Sequence, residues 1–140
     1  MFLTPNDYNY LIKQVELSRA INADHSLRMS AELSAQSEIE SYLRARYDVL
    51  AIFSATGTER HPMIMKVMID LVIYELFSRI TPDQMPEIRL QRWEAALEWL
   101  KAVRDGKISV DLPPNPTDTE AENKPKNFFT KSDERKIFDF

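Results

Sequence analysis

The residues of this sequence best suited to catalysis or metal binding are two histidines and one acid in an apolar setting. His25 and His61 are the only histidines, and neither has a second candidate ligand close to it in sequence. A metal or general-base site needs several converging groups, so His61 is better read as part of a helix start. Asp70 lies within the apolar stretch 63–77, where burial could tune a carboxyl group for proton transfer. An ion pair with an arginine, or a position facing a groove, is the simpler interpretation of Asp70.

The sequence contains none of the short motifs that carry familiar chemistries. There is no phosphate loop, dinucleotide fingerprint, nucleophile elbow or paired metal motif. The absence of cysteine excludes thiolate catalysis, thiolate metal sites and disulfides. We therefore expect a protein that is not an enzyme and needs no metal or cofactor.

The composition favours one helical domain without a general affinity for nucleic acid. The chain has 140 residues, of which 44% are hydrophobic, 29% are charged and only two are glycine. A formal net charge of −4 gives no overall attraction to phosphate. The start, MFLTPNDY, has no signal-peptide pattern, and the apolar stretch 63–77 is too short and too charged to span a membrane. We expect a cytosolic protein with no membrane partner.

Hydrophobic periodicity predicts an all-α fold, a compact bundle of about four helices. The first helix would begin at a Thr4 cap, the second would cover roughly 29–47, the third would open at Pro62, and the fourth would end at Gly106 in the left-handed conformation. The third is apolar on most sides, which places it in the centre. Segments 21–30 and 51–60 are predicted to be connections. The predicted apolar stripes are Tyr8, Leu11, Ile12 and Val15 in the first helix, Ala31, Ala35, Ile39, Tyr42 and Leu43 in the second, and Leu90, Trp93, Leu97 and Leu100 in the fourth.

The period changes after Gly106, in a segment that we call the arm (residues 107–112). Its sequence KISVDL alternates apolar and polar side chains, which predicts a short extended strand. No other segment of the chain shows that pattern, so the strand would either pair with another subunit or pack back on its own bundle. We take residues 1–112 as the helical domain with its arm.

Residues 113–140 form a tail rich in proline and charge, which is expected to be flexible and ends in an aromatic segment. Aromatic residues on such tails often dock on a partner. Trp99 lies off the main stripe of the fourth helix, where it is either an edge of the core or a subunit contact. The candidate interface residues are Trp99, Ile108, Val110, Leu112, Phe128, Phe129, Ile137, Phe138 and Phe140.

Three stretches together resemble a known family. They are FLTPNDY at the start, SAQSEIESYLRARYDV in the second helix and RWEAALEWLKAVRDGKISVDL in the fourth. They are similar to the small Mu-like prophage proteins thought to act at the head–tail junction, and the ending SDERKIFDF is similar to that of some members. The segment between the first two helices is shorter than in that family and lacks its acidic loop. The matching positions are Ile39, Tyr42, Leu43, Arg46, Tyr47, Trp93, Ala96, Trp99, Leu100 and Gly106.

The resemblance implies a structural head–tail connector, or adaptor, that forms a homo-oligomeric ring between portal and tail. It implies portal and tail-completion proteins as partners, DNA that passes without specific binding, and a place at the virion head–tail junction after assembly in the host cytoplasm. Two alternatives remain at this stage. One is a non-enzymatic interaction module that uses the aromatic tail. The other is a helical DNA-binding regulator, which the proline-containing connector before the fourth helix and the acids Glu94 and Glu98 disfavour.

Overall fold

The structure is a computed structural model that describes residues 1–21, 24–80 and 83–117. Most of these residues are helical. The α-helices are α1 Gln14–Ile21, α2 His25–Leu43, α3 Val49–Ser54, α4 Pro62–Ile80 and α5 Glu87–Arg104. Two short 3-10 helices, Pro5–Tyr10 and Gly57–Glu59, precede α1 and α4. No β-strand occurs within the described ranges, and the all-α prediction is confirmed.

The long helices α2, α4 and α5 pack against one another, with α4 in the middle. The sequence of α4 is apolar on nearly every side, so most of its surface must be covered. Its bounds and its central position agree with the sequence prediction. The buried residues of α4 are Ile64, Val67, Met68, Ile69, Asp70, Leu71, Val72, Ile73 and Leu76.

The N-terminal segment differs from the single helix that was predicted. The 3-10 helix ends at Tyr10, where the amides of Leu11 and Ile12 both donate to the Tyr8 carbonyl, and α1 begins only at Gln14. Because of this interruption, the residues before and after it do not form one continuous apolar stripe. Tyr8 and Ile12 are buried as predicted, whereas Val15 is 69% exposed.

The second helix begins earlier and ends earlier than predicted. Asp24 caps it, accepting a 2.9 Å hydrogen bond from the Ser26 amide, so residues 25–30 are helical rather than a connection. Residues that follow Leu43 leave the helix in a turn. A second cap at Asp48, which accepts from the Ala51 amide at 3.1 Å, starts α3 inside the segment predicted to be a loop.

The end of α5 agrees with the prediction at Gly106. Its φ of 76° is the left-handed conformation that glycine adopts without strain. The guanidinium group of Arg46 lies directly against this glycine, so a β-carbon there would collide with it. Two features therefore favour glycine at position 106: the left-handed backbone conformation and the lack of space for a side chain.

The strand prediction for the arm is wrong. Leu112 is buried, Val110 is half-buried against the core, and Ile108 is 37% exposed. The main chain after the arm bonds to the turn after α2: the Asp48 amide donates to the Pro113 carbonyl at 2.9 Å, and the Asn115 amide donates to the Arg46 carbonyl at 3.0 Å. Because the arm's own bundle supplies these contacts, the arm packs back on it, and the packing continues beyond the predicted boundary at residue 112.

Candidate interaction surface

Two neighbouring grooves border the N-terminal half of α4, where the central helix reaches the surface. The α4–α5 groove has a volume of about 320 Å³, and its lining includes Met63, Lys66, Asp70, Ile88, Arg92 and Trp99. The N-terminal groove, between α4 and the first 3-10 helix, has a volume of about 560 Å³. Its lining includes Tyr10, Pro62, Met63, Met65, Lys66 and Ile69.

Met63 and Lys66 line both grooves and form the ridge between them. Large apolar side chains stand at the outer edges, since Tyr10 is 80% exposed and Ile88 is 53% exposed. Methionine and aromatic residues are enriched at protein interfaces, and methionine adapts to irregular partners. We call this surface the α4 face, defined by Tyr10, Met63, Met65, Lys66, Ile88 and Trp99. Its chemistry suits a partner that carries apolar side chains.

An ion pair lies in the α4–α5 groove. Arg92 Nε donates a 2.7 Å hydrogen bond to Asp70 Oδ1, and Asp70 is buried while the Arg92 side chain is 27% exposed. Burial raises the pKa of Asp70, and Arg92 opposes that rise. Both sequence interpretations of Asp70 hold, because the acid pairs with an arginine and also lines a groove. Tuning for catalysis is not needed to explain its position.

A buried polar network anchors the 3-10 helix that forms the wall of the N-terminal groove. The Tyr8 hydroxyl donates to Glu32 Oε1 at 2.6 Å, and Arg28 Nη1 lies 3.7 Å from the same oxygen. The Arg28 guanidinium is also 5.8 Å from the centre of the Tyr8 ring. Burial raises the pKa of Glu32, although the tyrosine hydrogen bond and the arginine oppose it. Tyr8, Arg28 and Glu32 are buried and line neither groove, so the network anchors the 3-10 helix from within the bundle.

Arg60 also anchors the N-terminal segment that forms the wall of the N-terminal groove. Its Nη1 and Nη2 atoms donate to the two carboxylate oxygens of Asp7 at 2.6 and 3.2 Å, and Nη1 also donates to the Phe2 carbonyl at 2.9 Å. Burial opposes ionisation of Asp7, but the hydrogen bonds from Arg60 and the Thr4 amide outweigh it and lower the pKa. Charge-assisted, bidentate bonds of this kind position the segment firmly.

Neither histidine lines either of the two grooves. His25 is exposed at the start of α2. His61 Nδ1 accepts from the Met63 amide at 3.2 Å, so this histidine belongs to the start of α4 as predicted. In the part of the chain that the structure describes, no group of three or more His, Cys, Asp or Glu side chains could hold a metal ion. Within the same ranges, no helix is long and apolar enough to cross a membrane.

The predicted interface residues have different surroundings. Trp99 lines the α4–α5 groove and is half-buried, Ile108 is exposed, and Val110 and Leu112 pack on the bundle. The others, Phe128, Phe129, Ile137, Phe138 and Phe140, lie outside the described residues. The sequence did not single out Tyr10, Met65 or Lys66. The pair Asn9–Tyr10, next to Tyr8, was the sequence signal available for an exposed side chain here. The groove itself exists only because α4 lies opposite this segment.

Comparison with models of known protein families gives a match over most of the chain. The model of the family described as Bacteriophage Mu, Gp36 matches residues 3–128, a range that includes the whole helical bundle and both grooves. Neither the curated proteins nor the solved structures contain a significant match to this chain.

Proposed function

Since the chain belongs to the Bacteriophage Mu Gp36 family, we propose that it is a structural connector at the head–tail junction of a phage or prophage particle. In this proposal, copies of the chain form a ring between the portal and the tail and bind the portal and tail-completion proteins. The role is that of an adaptor and not of a catalyst. The protein would act at the junction after assembly in the host cytoplasm.

The family match over residues 3–128 is the observation that carries the proposal. The motif residues that resemble head–tail proteins pack the bundle in this chain. Leu43 is buried, and the Arg104 guanidinium is 5.5 Å from the centre of the Tyr42 ring, which joins α2 to the end of α5. The shared sequence thus supports a shared bundle on which connector surfaces could be built.

The α4 face supports a role in assembly. Its exposed apolar side chains, Tyr10 and Ile88, would lose contact with water when a neighbour covers them, which favours association. Contacts around a ring are heterologous, so one surface of each subunit meets a different surface of the next. The net charge of −4 would also let DNA pass through such a ring without adhering to it.

Sedimentation velocity of the full chain, alone and mixed with the portal protein of its phage, tests the proposal. We expect a ring-sized species or co-sedimentation with the portal, and electron microscopy of that species should show a closed ring. A chain that stays monomeric and does not bind the portal contradicts the proposal. Partner capture without a ring would instead favour an interaction module, and a salt-dependent gel shift with DNA would favour a regulator.

A further inference from the structure

The order of side chains across the α4 face matches one segment of the chain. Across the face, the α4–α5 groove, Lys66 and the N-terminal groove follow one another. Each groove has large apolar side chains in its lining together with a carboxylate that already pairs with an arginine, Asp70 with Arg92 and Asp7 with Arg60. Near the end of the tail, Phe138, Asp139 and Phe140 follow one another as aromatic, acidic and aromatic residues, with Ile137 before them. The two aromatic residues of the segment therefore match the apolar lining residues of the grooves, and its acid matches the cation between them.

We propose that residues 137–140 of one copy dock on the α4 face of a second copy. Phe138 and Phe140 occupy the two grooves, and the carboxylate of Asp139 pairs with Lys66. The inference rests on the proposed ring in one respect, because it assigns the occupant of the face to a neighbouring subunit. It names the contact through which each subunit would hold the next.

The grooves are large enough for this occupant. An apolar cavity of about 150 Å³ can bind benzene, and the two grooves measure about 320 and 560 Å³. Met63 contacts both volumes, and its flexible thioether can pack against the edge of either ring. The long side chain of Lys66 is exposed and forms no ion pair within the described residues, so its ammonium group can turn toward an incoming acid.

The length of the tail allows contact with a neighbour. The chain leaves the bundle at Asn115, which bonds to the carbonyls of Arg44 and Arg46, and Pro113 borders a cavity that also contacts His61 at the start of α4. The 20 residues from 118 to 137 can span up to roughly 70 Å. The 19 residues of α4 measure roughly 28 Å. A segment with this reach can cross from one subunit to the α4 face of the next.

The proposed ring selects the neighbouring copy over the chain's own face, because docking between copies gives the heterologous contact that a ring requires. Pro113 and Pro114 still contact the turn after α2, so the chain is free to turn toward a neighbour only beyond them. The connection 118–137 contains one proline, Pro125.

A charge exchange in the full-length chain tests the proposal. Lys66→Glu and Asp139→Lys each place like charges at the contact, and each should weaken self-association about tenfold in sedimentation equilibrium. An equimolar mixture of the two variants should recover wild-type association, because every contact between unlike copies then joins opposite charges. If the mixture stays dissociated while a chain with both substitutions is restored, the segment docks on its own chain and the proposal is overturned.

Phe138→Ser with Phe140→Ser tests the aromatic part, with Asn127→Ser and Thr130→Ser in the same tail as the control. Loss of the first pair should weaken association by at least about tenfold, and the control pair should leave it unchanged. If the wild-type chain forms a ring and the first variant still does, tail docking is overturned while the connector role stands. A wild-type chain that does not self-associate overturns docking between copies, and absence of portal binding as well would overturn the connector role.

Discussion

The hydroxyl group of Tyr8 donates a 2.6 Å hydrogen bond to Oε1 of Glu32, and both side chains are fully buried. This bond joins the N-terminal 3-10 helix to the middle of α2. Arg28 compensates part of the charge from 3.7 Å. A buried carboxylate with this little compensation is costly to ionise, so the contact that positions the groove wall should also make stability depend on pH.

Glu32→Gln should reduce that pH dependence. The folded-state pKa of Glu32 is raised above 4.5 by burial, so its contribution is fully present below about pH 4.5 and is lost as pH rises through the folded value. The variant is neutral throughout, so its free energy of unfolding should fall less than that of the wild type between pH 5 and pH 7. Urea denaturation at both pH values measures this difference.

Other titrating groups are present in both proteins and cancel in that comparison. Asp70, with its raised pKa, acts in the same direction as Glu32, whereas the lowered pKa of Asp7 acts in the opposite direction. Glu94→Gln, at an exposed position of α5, is the matched control and should leave the wild-type slope unchanged. Equal slopes for wild type and Glu32→Gln would contradict the prediction.

Arg92→Met should destabilise the fold because it leaves the buried Asp70 carboxylate without its partner. The expected loss is about 2–4 kcal/mol, allowing for the partial exposure of Arg92. Adding Asp70→Asn should recover much of that loss, since no buried charge then remains. Chemical denaturation gives the free energy of unfolding of Arg92→Met, of the double variant and of Asp70→Asn alone, which together form a double-mutant cycle.

Arg44→Met supplies the control for this pair, because Arg44 bonds to Glu40 on the surface of the bundle. Its effect should stay within about 0.5 kcal/mol. A double variant no more stable than Arg92→Met would show that the arginine acts through packing and not through charge.

Arg60→Lys should loosen the N-terminal segment. Lysine keeps the charge but cannot hold both oxygens of Asp7 and the Phe2 carbonyl at once, so we expect a loss of about 1–2 kcal/mol. The Thr4 amide, which donates to Asp7, should exchange with deuterium faster than in the wild type. Unchanged exchange at this amide would mean that Tyr8 alone secures the segment.

Asp7 gives this prediction a dependence on pH. Its folded pKa is lowered below 3.8, so it contributes stability above that value and loses the contribution as pH falls through the folded pKa. Arg60→Lys should therefore cost most near neutral pH and less in acid. A cost that grows on acidification would contradict the role assigned to the Asp7 pair.

Leu112→Asp should destabilise the isolated chain, whereas Ile108→Asp should not. Leu112 is only 8% exposed, so losing its burial and placing a charge there should cost at least about 2 kcal/mol. Ile108 is 37% exposed, and its substitution should stay within about 0.5 kcal/mol. Thermal unfolding of both variants measures the contrast, and equal melting temperatures would show that the arm is not part of the core.

Local sequence signals predicted α4 and α5 well. The apolar residues of α4 occupy nearly every side of the helix, and Pro62 suits its first turn. Gly106 predicted the end of α5 because only glycine adopts its left-handed conformation at little cost. These features depend on the backbone and side chains of a few neighbouring residues, so they can be read without knowing the rest of the fold.

The start of α2 and the state of the arm depend on distant residues. Arg28 and Glu32 interrupt the apolar pattern in the first half of α2, and the burial of Glu32 depends on a hydrogen bond from Tyr8, 24 positions before it. The arm alternates like a strand, yet Val110 and Leu112 pack on the bundle, and the main chain just after the arm bonds to the turn after α2. A periodic pattern reports which side chains share a face but not what covers that face.

By itself, the sequence determined the helical class, the central helix and the family resemblance, because each is written in local spacing and residue type. The tertiary structure alone decided that Asp70 pairs with Arg92, that Leu112 is covered, and that Lys66 stands between two grooves. A groove is a gap between elements far apart in sequence. Its shape follows from how helices pack, which local periodicity does not encode.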